Sequence, residues 1–333
     1  MPRTAQVAPP APPFRSARDW PIGAALLQFP DVHDAPAEQW ASVLDEVAVE
    51  GFDHVDLTDS WVRPGDLDAD RRDELARTLK ESGLGVTAIS AIRRSVIDPD
   101  EGAARAHLAY LLRTIDAAAD LGIGVVSVGL HRELTQMQQE ALWFWHEPGA
   151  TDPIGDFRTW ELAVTRLREL GERAARYGIR LSLEMYEDTY LGTADSAVSL
   201  VTDIGLPNVG LNPDIGNLVR LHRPVEDWRS MLEKTLPHTN YWHIKNYYRD
   251  HDLATGAYFT HPAPCEGGLI DYRRALSMAL EAGFDGPICV EHYGGDGLGV
   301  SAANRDYLRR VLRARLDRAG RRATTTYEQE DSA

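Results

Sequence analysis

The chain has 333 residues, 43% hydrophobic and 26% charged, the balance of an ordinary globular protein with a large core. No apolar run approaches the roughly 18 residues needed to cross a bilayer, so membrane insertion is not expected. The 35 Lys and Arg against 51 Asp and Glu leave a net charge of −16, which repels a phosphate backbone and sets nucleic acid aside as a partner.

The first 20 residues are rich in Ala and Pro and read as a flexible arm. Apolar, β-branched runs then predict strands at Ile22–Phe29, His54–Leu57, Gly85–Ser90, Gly124–Leu130, Arg180–Met185, Val209–Pro213, Tyr241–Lys245 and Pro287–His292. Between them, helical periodicity predicts Ala37–Glu50, Asp70–Ser82, Ala103–Leu121, Phe157–Tyr177, Ala194–Ile204, Val225–Thr235, Tyr272–Ala282 and Ala302–Leu316. Glycines such as Gly83, Gly122 and Gly205 stand where those helices should end. Strict alternation of strand and helix implies parallel strands, and eight units match a closed (β/α)8 barrel over residues 21–318. Residues 319–333 read as a polar tail.

Two connections exceed the usual loop length: 131–156, with a possible short helix at Leu134–Trp145, and 246–268. Both follow strands, so both rise from the face where barrel enzymes carry their chemistry. Cys265 and Cys289 show no metal or redox spacing and the start of the chain has no secretory pattern. A cytoplasmic protein without disulfides is the expectation.

The last four barrel strands each finish on a polar residue: Glu184 in LSLEMYED, Asp214 in LNPDIGN, His243 in YWHIKN and Glu291 in ICVEHYGG. Three carboxylates brought together at a barrel mouth repel and raise one another's pKa, and a divalent cation resolves the conflict. An oxygen-rich set with one imidazole suits Mn²⁺ best, with Mg²⁺, Co²⁺ and Zn²⁺ also compatible.

These motifs, with EGGLIDYRRALSMALEAGFDGPICVEH, resemble the xylose-isomerase-like sugar phosphate isomerase/epimerase superfamily from about Ile22 to Leu312. The resemblance implies one divalent metal held by Glu184, Asp214, His243 and Glu291, with Glu184 and Glu291 doubling as bases. Lys245 and Arg249 sit at family-like positions after His243. Asn217 stands where relatives often carry a substrate-contacting His. The same fold includes a multi-metal DNA repair endonuclease, which the charge and the lack of further His ligands disfavour.

The loop ELTQMQQEALWFWHEPG and the segment YYRDHDLATGAYFTHPAPCEGG resemble the larger subunit of bacterial C-glycoside deglycosidases. That resemblance implies a sugar or glycoside substrate oxidised at C3, proton removal beside the ketone, and cleavage of the C1–aglycone bond. It also implies a small β-rich partner subunit. His146 is then the expected general acid, with Trp145 and His131 as substrate contacts. The bland alternatives are a small satellite core for the aromatics and a salt bridge to a ligand carboxylate for Lys245. A ketose isomerase or 3-epimerase, and a sugar-binding subunit without turnover, are the competing functions. Asp56 and Asp59 read as sugar contacts or as caps of the next segment.

Overall fold

The computed structural model describes residues 16–330, with side chains to residue 317. Eight parallel strands form one sheet: β1 (Ile22–Ala25), β2 (His54–Thr58), β3 (Gly85–Ala91), β4 (Val125–Val128), β5 (Arg180–Glu184), β6 (Val209–Asn212), β7 (Trp242–Ile244) and, later in the chain, β10 (Ile288–Val290). Their order is β6-β5-β4-β3-β2-β1-β10-β7, a nearly closed barrel. The helices are α1 (Ala37–Val49), α2 (Ala69–Ser82), α3 (Glu101–Asp120), α4 (Gln136–Glu140), α5 (Phe157–Ala175), α6 (Ala194–Ile204), α7 (Gly216–Val219), α8 (Trp228–Thr235), α9 (Tyr272–Glu281) and α10 (Gly297–Glu330).

The seam between β6 and β7 is closed by asparagines rather than by a full ladder. Asn212 Oδ1 accepts the backbone N–H of His243 at 2.7 Å, and Asn240 donates to the Leu181 carbonyl at 3.1 Å. Carboxylate and hydroxyl caps start the outer helices; Asp100, for example, accepts from the N–H groups of Gly102 and Ala103. Helix α5 buries Ala163, Leu167, Leu170 and Ala174, the stripe that its 3.6-residue period predicts. Gly171 on that stripe is required by close packing, since a Cβ there would stand 2.6 Å from Val209.

Three expectations change. The 246–268 connection contains an antiparallel hairpin, β8 (Asn246–Asp252) with β9 (Ala257–Ala263), turning at Gly256 with φ +74. Helix α10 runs through the segment read as a polar tail as far as Glu330; residues 331–333 lie outside the described residues. Residues 1–15 of the N-terminal arm also lie outside them, but the arm ends in a docked Trp20, buried and donating Nε1–H to the Gly286 carbonyl at 3.0 Å. Among the described residues no helix is long and apolar enough to cross a membrane.

Candidate metal centre and its cavity

Glu184 closes β5, Asp214 lies two residues past β6, His243 is central in β7 and Glu291 follows β10, and all four are buried. Glu184, Asp214 and His243 each offer a ligand atom within 4.8 Å of the other two. His243 Nδ1 lies 2.8 Å from Glu291 Oε1 and 4.0 Å from Glu184 Oε1, yet is not aligned for a hydrogen bond to either. Asp214 Oδ1 is likewise buried without a partner. Buried polar atoms are nearly always paired, so the unpartnered Asp214 oxygen beside His243 in a ring of carboxylates fits a divalent cation, which would take the place of the Nδ1 proton. A second trio, Asp56, His243 and Cys289, is equally close. It fits a metal poorly, because burial keeps the Cys289 thiol protonated and Asp56 is already occupied by hydroxyls.

Lys245 reaches the centre from the end of β7. Its ammonium donates to Asp214 Oδ2 and, at 2.5 Å, to Glu291 Oε2. Gly216 makes room for it, since a Cβ there would meet Lys245 Cγ at 2.5 Å. Asn217 donates to Glu184 Oε1 at 3.2 Å and to Asp214 Oδ2 at 3.1 Å, tying two ligand carboxylates together. The electrostatics then diverge between the two glutamates. Burial, opposed by His243 and reinforced by Asp214 and Glu291, pushes Glu184 up to about 7. Burial also disfavours the Glu291 anion, but Lys245 and His243 outweigh it and hold that carboxyl well below the usual range. Burial disfavours the imidazolium of His243 too, and the neighbouring Glu291 and Glu184 charges overcome it.

Behind His243 lies a polar network built on Asp56, the residue read from the sequence as a sugar contact or a cap. Asp56 is fully buried inside the barrel, accepting from Ser90 Oγ at 2.7 Å, Tyr241 OH at 2.5 Å and Thr58 Oγ1 at 3.3 Å. Ser90 Oγ is also 3.3 Å from His243 Nε2. The imidazole therefore turns Nδ1 to the carboxylate ring and Nε2 to this network, a common support for a metal-binding His. The signal was a polar residue at mid-strand in HVDLT, where alternation sends Asp56 inward with Thr58.

A cavity of about 190 Å³ opens over Glu184, His243 and Glu291, walled by His131, Tyr186, Phe144, Tyr293 and Arg93. The structure brings His131 and Asn217 to this cavity; His131 is stacked on Tyr186 at 4.4 Å. It does not bring Trp145, His146 or Arg249. Phe144–His146 forms a tight 3₁₀ turn, which points successive side chains about 120° apart. Phe144 takes the cavity wall and Trp145 is buried, stacked on Trp143 and donating to Thr260 Oγ1 at 3.2 Å. His146 is exposed in a separate cleft, 4.0 Å from the His222 ring. The expected acid therefore stands apart from the metal residues. Arg249 turns away to the carbonyls of Val219, at 2.8 Å, Leu221 and Arg223, tying down the chain that follows α7.

Sequence reasoning missed a buried ion pair behind the aromatic wall. Arg220 meets Glu187 through both carboxylate oxygens, at 2.9 and 3.0 Å, and lies 4.7 Å from the Phe144 ring centroid. Neither residue sits in a recognisable motif, so only the fold pairs them.

Comparison with known proteins is consistent with this architecture. Residues 44–314 match the family described as Xylose isomerase-like TIM barrel. A xylose isomerase-like TIM barrel protein from Mycobacterium smegmatis, solved in complex with magnesium, is 46% identical. It superposes with a TM-score of 0.86, over 90% of this chain and 99% of that one. The L-ribulose-5-phosphate 3-epimerase UlaE of Escherichia coli is 24% identical over 293 residues, 85% of this chain and 92% of the relative. The E. coli 3-keto-D-glucoside 4-epimerase YcjR shares the fold at 18% identity and a TM-score of 0.64, covering 87% of this chain and 99% of that one.

Proposed function

The chain belongs to the xylose isomerase-like TIM barrel family, and from that premise we propose that it is a divalent-metal-dependent epimerase of keto-sugars. The observation that carries the reading is the pair Glu184 and Glu291, two carboxylates flanking His243 Nδ1 on the floor of one small cavity. Epimerisation beside a carbonyl needs one group to remove a proton and another to return it from the opposite face. Glu184 and Glu291 stand on either side of His243 Nδ1, and Lys245 donates to Glu291. Asn217 and Lys245 fix the two carboxylates, and the apolar faces of Phe144 and Tyr293 exclude water from the carbon between them.

A divalent ion bound by Glu184, Asp214, His243 and Glu291 would polarise the carbonyl and stabilise the developing enediolate. The oxygen-rich donors suit Mn²⁺ or Mg²⁺, and the Mycobacterium smegmatis relative carries magnesium. The volume of about 190 Å³ is below the ~300–1,000 Å³ of pockets for drug-sized ligands, which favours a monosaccharide.

The aromatic wall favours a second reading, cleavage of a 3-oxo-C-glycoside together with a small β-rich partner subunit. One experiment separates the two. The metal-loaded enzyme is incubated in D₂O with a panel of ketoses, a 3-keto-glucoside and a 3-oxo aryl C-glucoside, and followed by NMR. Deuterium entering the carbon beside the carbonyl, with a new epimer, is the expected result. Release of aglycone without epimer formation from any ketose would replace the epimerase reading with the second one.

A further inference from the structure

The cavity has a second polar wall, on the side of β2 and β3, that the chemistry above does not use. Ser60 follows β2 and Arg93 follows β3; the two strands are neighbours and both residues line the cavity. Arg93 adopts φ +53, the left-handed region that residues with side chains rarely occupy and that is costly to hold. Such strain persists where the surroundings demand a particular side-chain position.

Arg93 differs in its electrostatics from Arg94 and Arg220. Arg94 beside it lies 3.3 Å from Asp59, and the buried Arg220 is paired with Glu187. Among the described residues Arg93 has no carboxylate partner. Nη1 donates to the Arg132 carbonyl at 2.8 Å and Nη2 to the Tyr186 hydroxyl at 3.2 Å, while the guanidinium lies 5.4 Å from the Phe144 ring centroid and 5.6 Å from that of Tyr186. These contacts orient the fork and leave its charge uncompensated, with further N–H donors to spare. Ser60 Oγ, on the same wall, is buried without a hydrogen-bond partner. Burial, then the charges of Arg93, Arg220 and Lys245, lower the pKa of the neighbouring His131.

An oriented cation without a counter-ion and an orphaned hydroxyl, on a wall separate from the candidate metal ligands, describe an oxyanion site that awaits its ligand. We propose that Arg93 and Ser60 bind a terminal oxyanion of the substrate, a phosphate ester or a carboxylate, so that the enzyme takes acidic keto-sugars over neutral ones. This rests on the keto-sugar reading above and adds the substrate class. The carbonyl end faces Glu184 and Glu291, and the anionic end faces Arg93.

The test compares binding of a ketose, its terminal phosphate and the corresponding keto-sugar acid to the Mg²⁺-loaded enzyme by calorimetry, with inorganic phosphate as a fourth probe. Wild type, Arg93→Gly, Arg93→Lys and Ser60→Ala are measured. Glycine suits the left-handed backbone, so Arg93→Gly is expected to fold, and Ser60→Ala removes only one hydroxyl. In wild type one acidic ligand should bind about tenfold to a hundredfold more tightly than the neutral ketose, and Arg93→Gly should collapse that ratio, with Arg93→Lys keeping part of it. Which acid is preferred, ester or carboxylate, identifies the source of the anion. A wild-type preference for the neutral ketose, or a ratio unchanged in Arg93→Gly, would overturn the proposal. These are binding measurements without turnover. An intact, Arg93-dependent preference with no deuterium exchange on any ketose would overturn the epimerase reading alone.

Discussion

Asp56 lies 3.7 Å behind the Nε2 atom of His243, with Ser90 Oγ hydrogen-bonded to the carboxylate and in reach of the ring. The pair fixes which nitrogen faces the carboxylate ring, so Nδ1 keeps its lone pair for an ion only while Nε2 keeps the proton. Asp56→Asn keeps the shape and weakens that preference. Its affinity for Mn²⁺ or Mg²⁺ should fall about 10–100-fold, the usual cost of losing a residue that supports a metal-binding His. Titration calorimetry on metal-stripped protein checks this, and an unchanged affinity would reduce the Asp56 network to a packing role.

Lys245 bridges Asp214 and Glu291, so in metal-stripped protein its ammonium is what neutralises two buried carboxylates. Removing one partner of a buried ion pair leaves unpaired charge and costs about 3–5 kcal/mol. Lys245→Met should therefore be strongly destabilised in EDTA and recover much of the loss when a divalent ion is added. Thermal melts with and without Mg²⁺ measure the difference. Equal losses in both conditions would mean that the lysine does not share its carboxylates with an ion.

A separate pH effect lies in the loop after β4. Burial pushes the Asp152 carboxyl up to about 6, against the opposing hydrogen bond from the Tyr190 N–H and the charge of Arg132. A carboxyl raised on folding favours the native state while protonated, so its contribution is present below the unfolded value and is lost as pH rises through about 6. Asp152→Asn keeps an acceptor for Tyr190 and removes that loss. At pH 7–8 it should stabilise the protein by up to about 3 kcal/mol, with little change at pH 4. Urea denaturation at the two pH values tests the sign, and a mutant destabilised at pH 8 would refute it.

The barrel was legible because its signals are local. Each strand is a short apolar run, and helices such as α5 and α6 carry complete stripes between a cap and a glycine. The four strand-end residues were legible for the same reason: a charge at the end of an apolar run needs a partner. The β8–β9 hairpin was not, since Asn246–Asp252 is polar on both faces and pairs only with a segment that follows it. Nor was the role of Asn217, whose amide meets Glu184 only because α7 folds back over the end of β5. The aromatic run 143–145 announced a packed loop, but the turn that assigns each ring its direction has no sequence signature.

The same turn places His146. Phe144 faces the cavity, whereas His146 faces a cleft bounded by Glu187, His222 and Arg223. Burial, partly offset by a hydrogen bond to the chain at Thr260, lowers the His146 pKa. A general acid acting in the cavity contributes about 10²–10⁴-fold, a factor that a side chain standing apart from the reacting carbon does not supply. His146→Ala should therefore epimerise small keto-sugars within about twofold of wild type, while Glu184→Gln loses proton exchange by the larger factor. Deuterium wash-in read by NMR compares the two variants on one substrate. A hundredfold loss in His146→Ala would mean that the loop moves His146 over the cavity during turnover, and the C–C cleavage reading would then gain its acid.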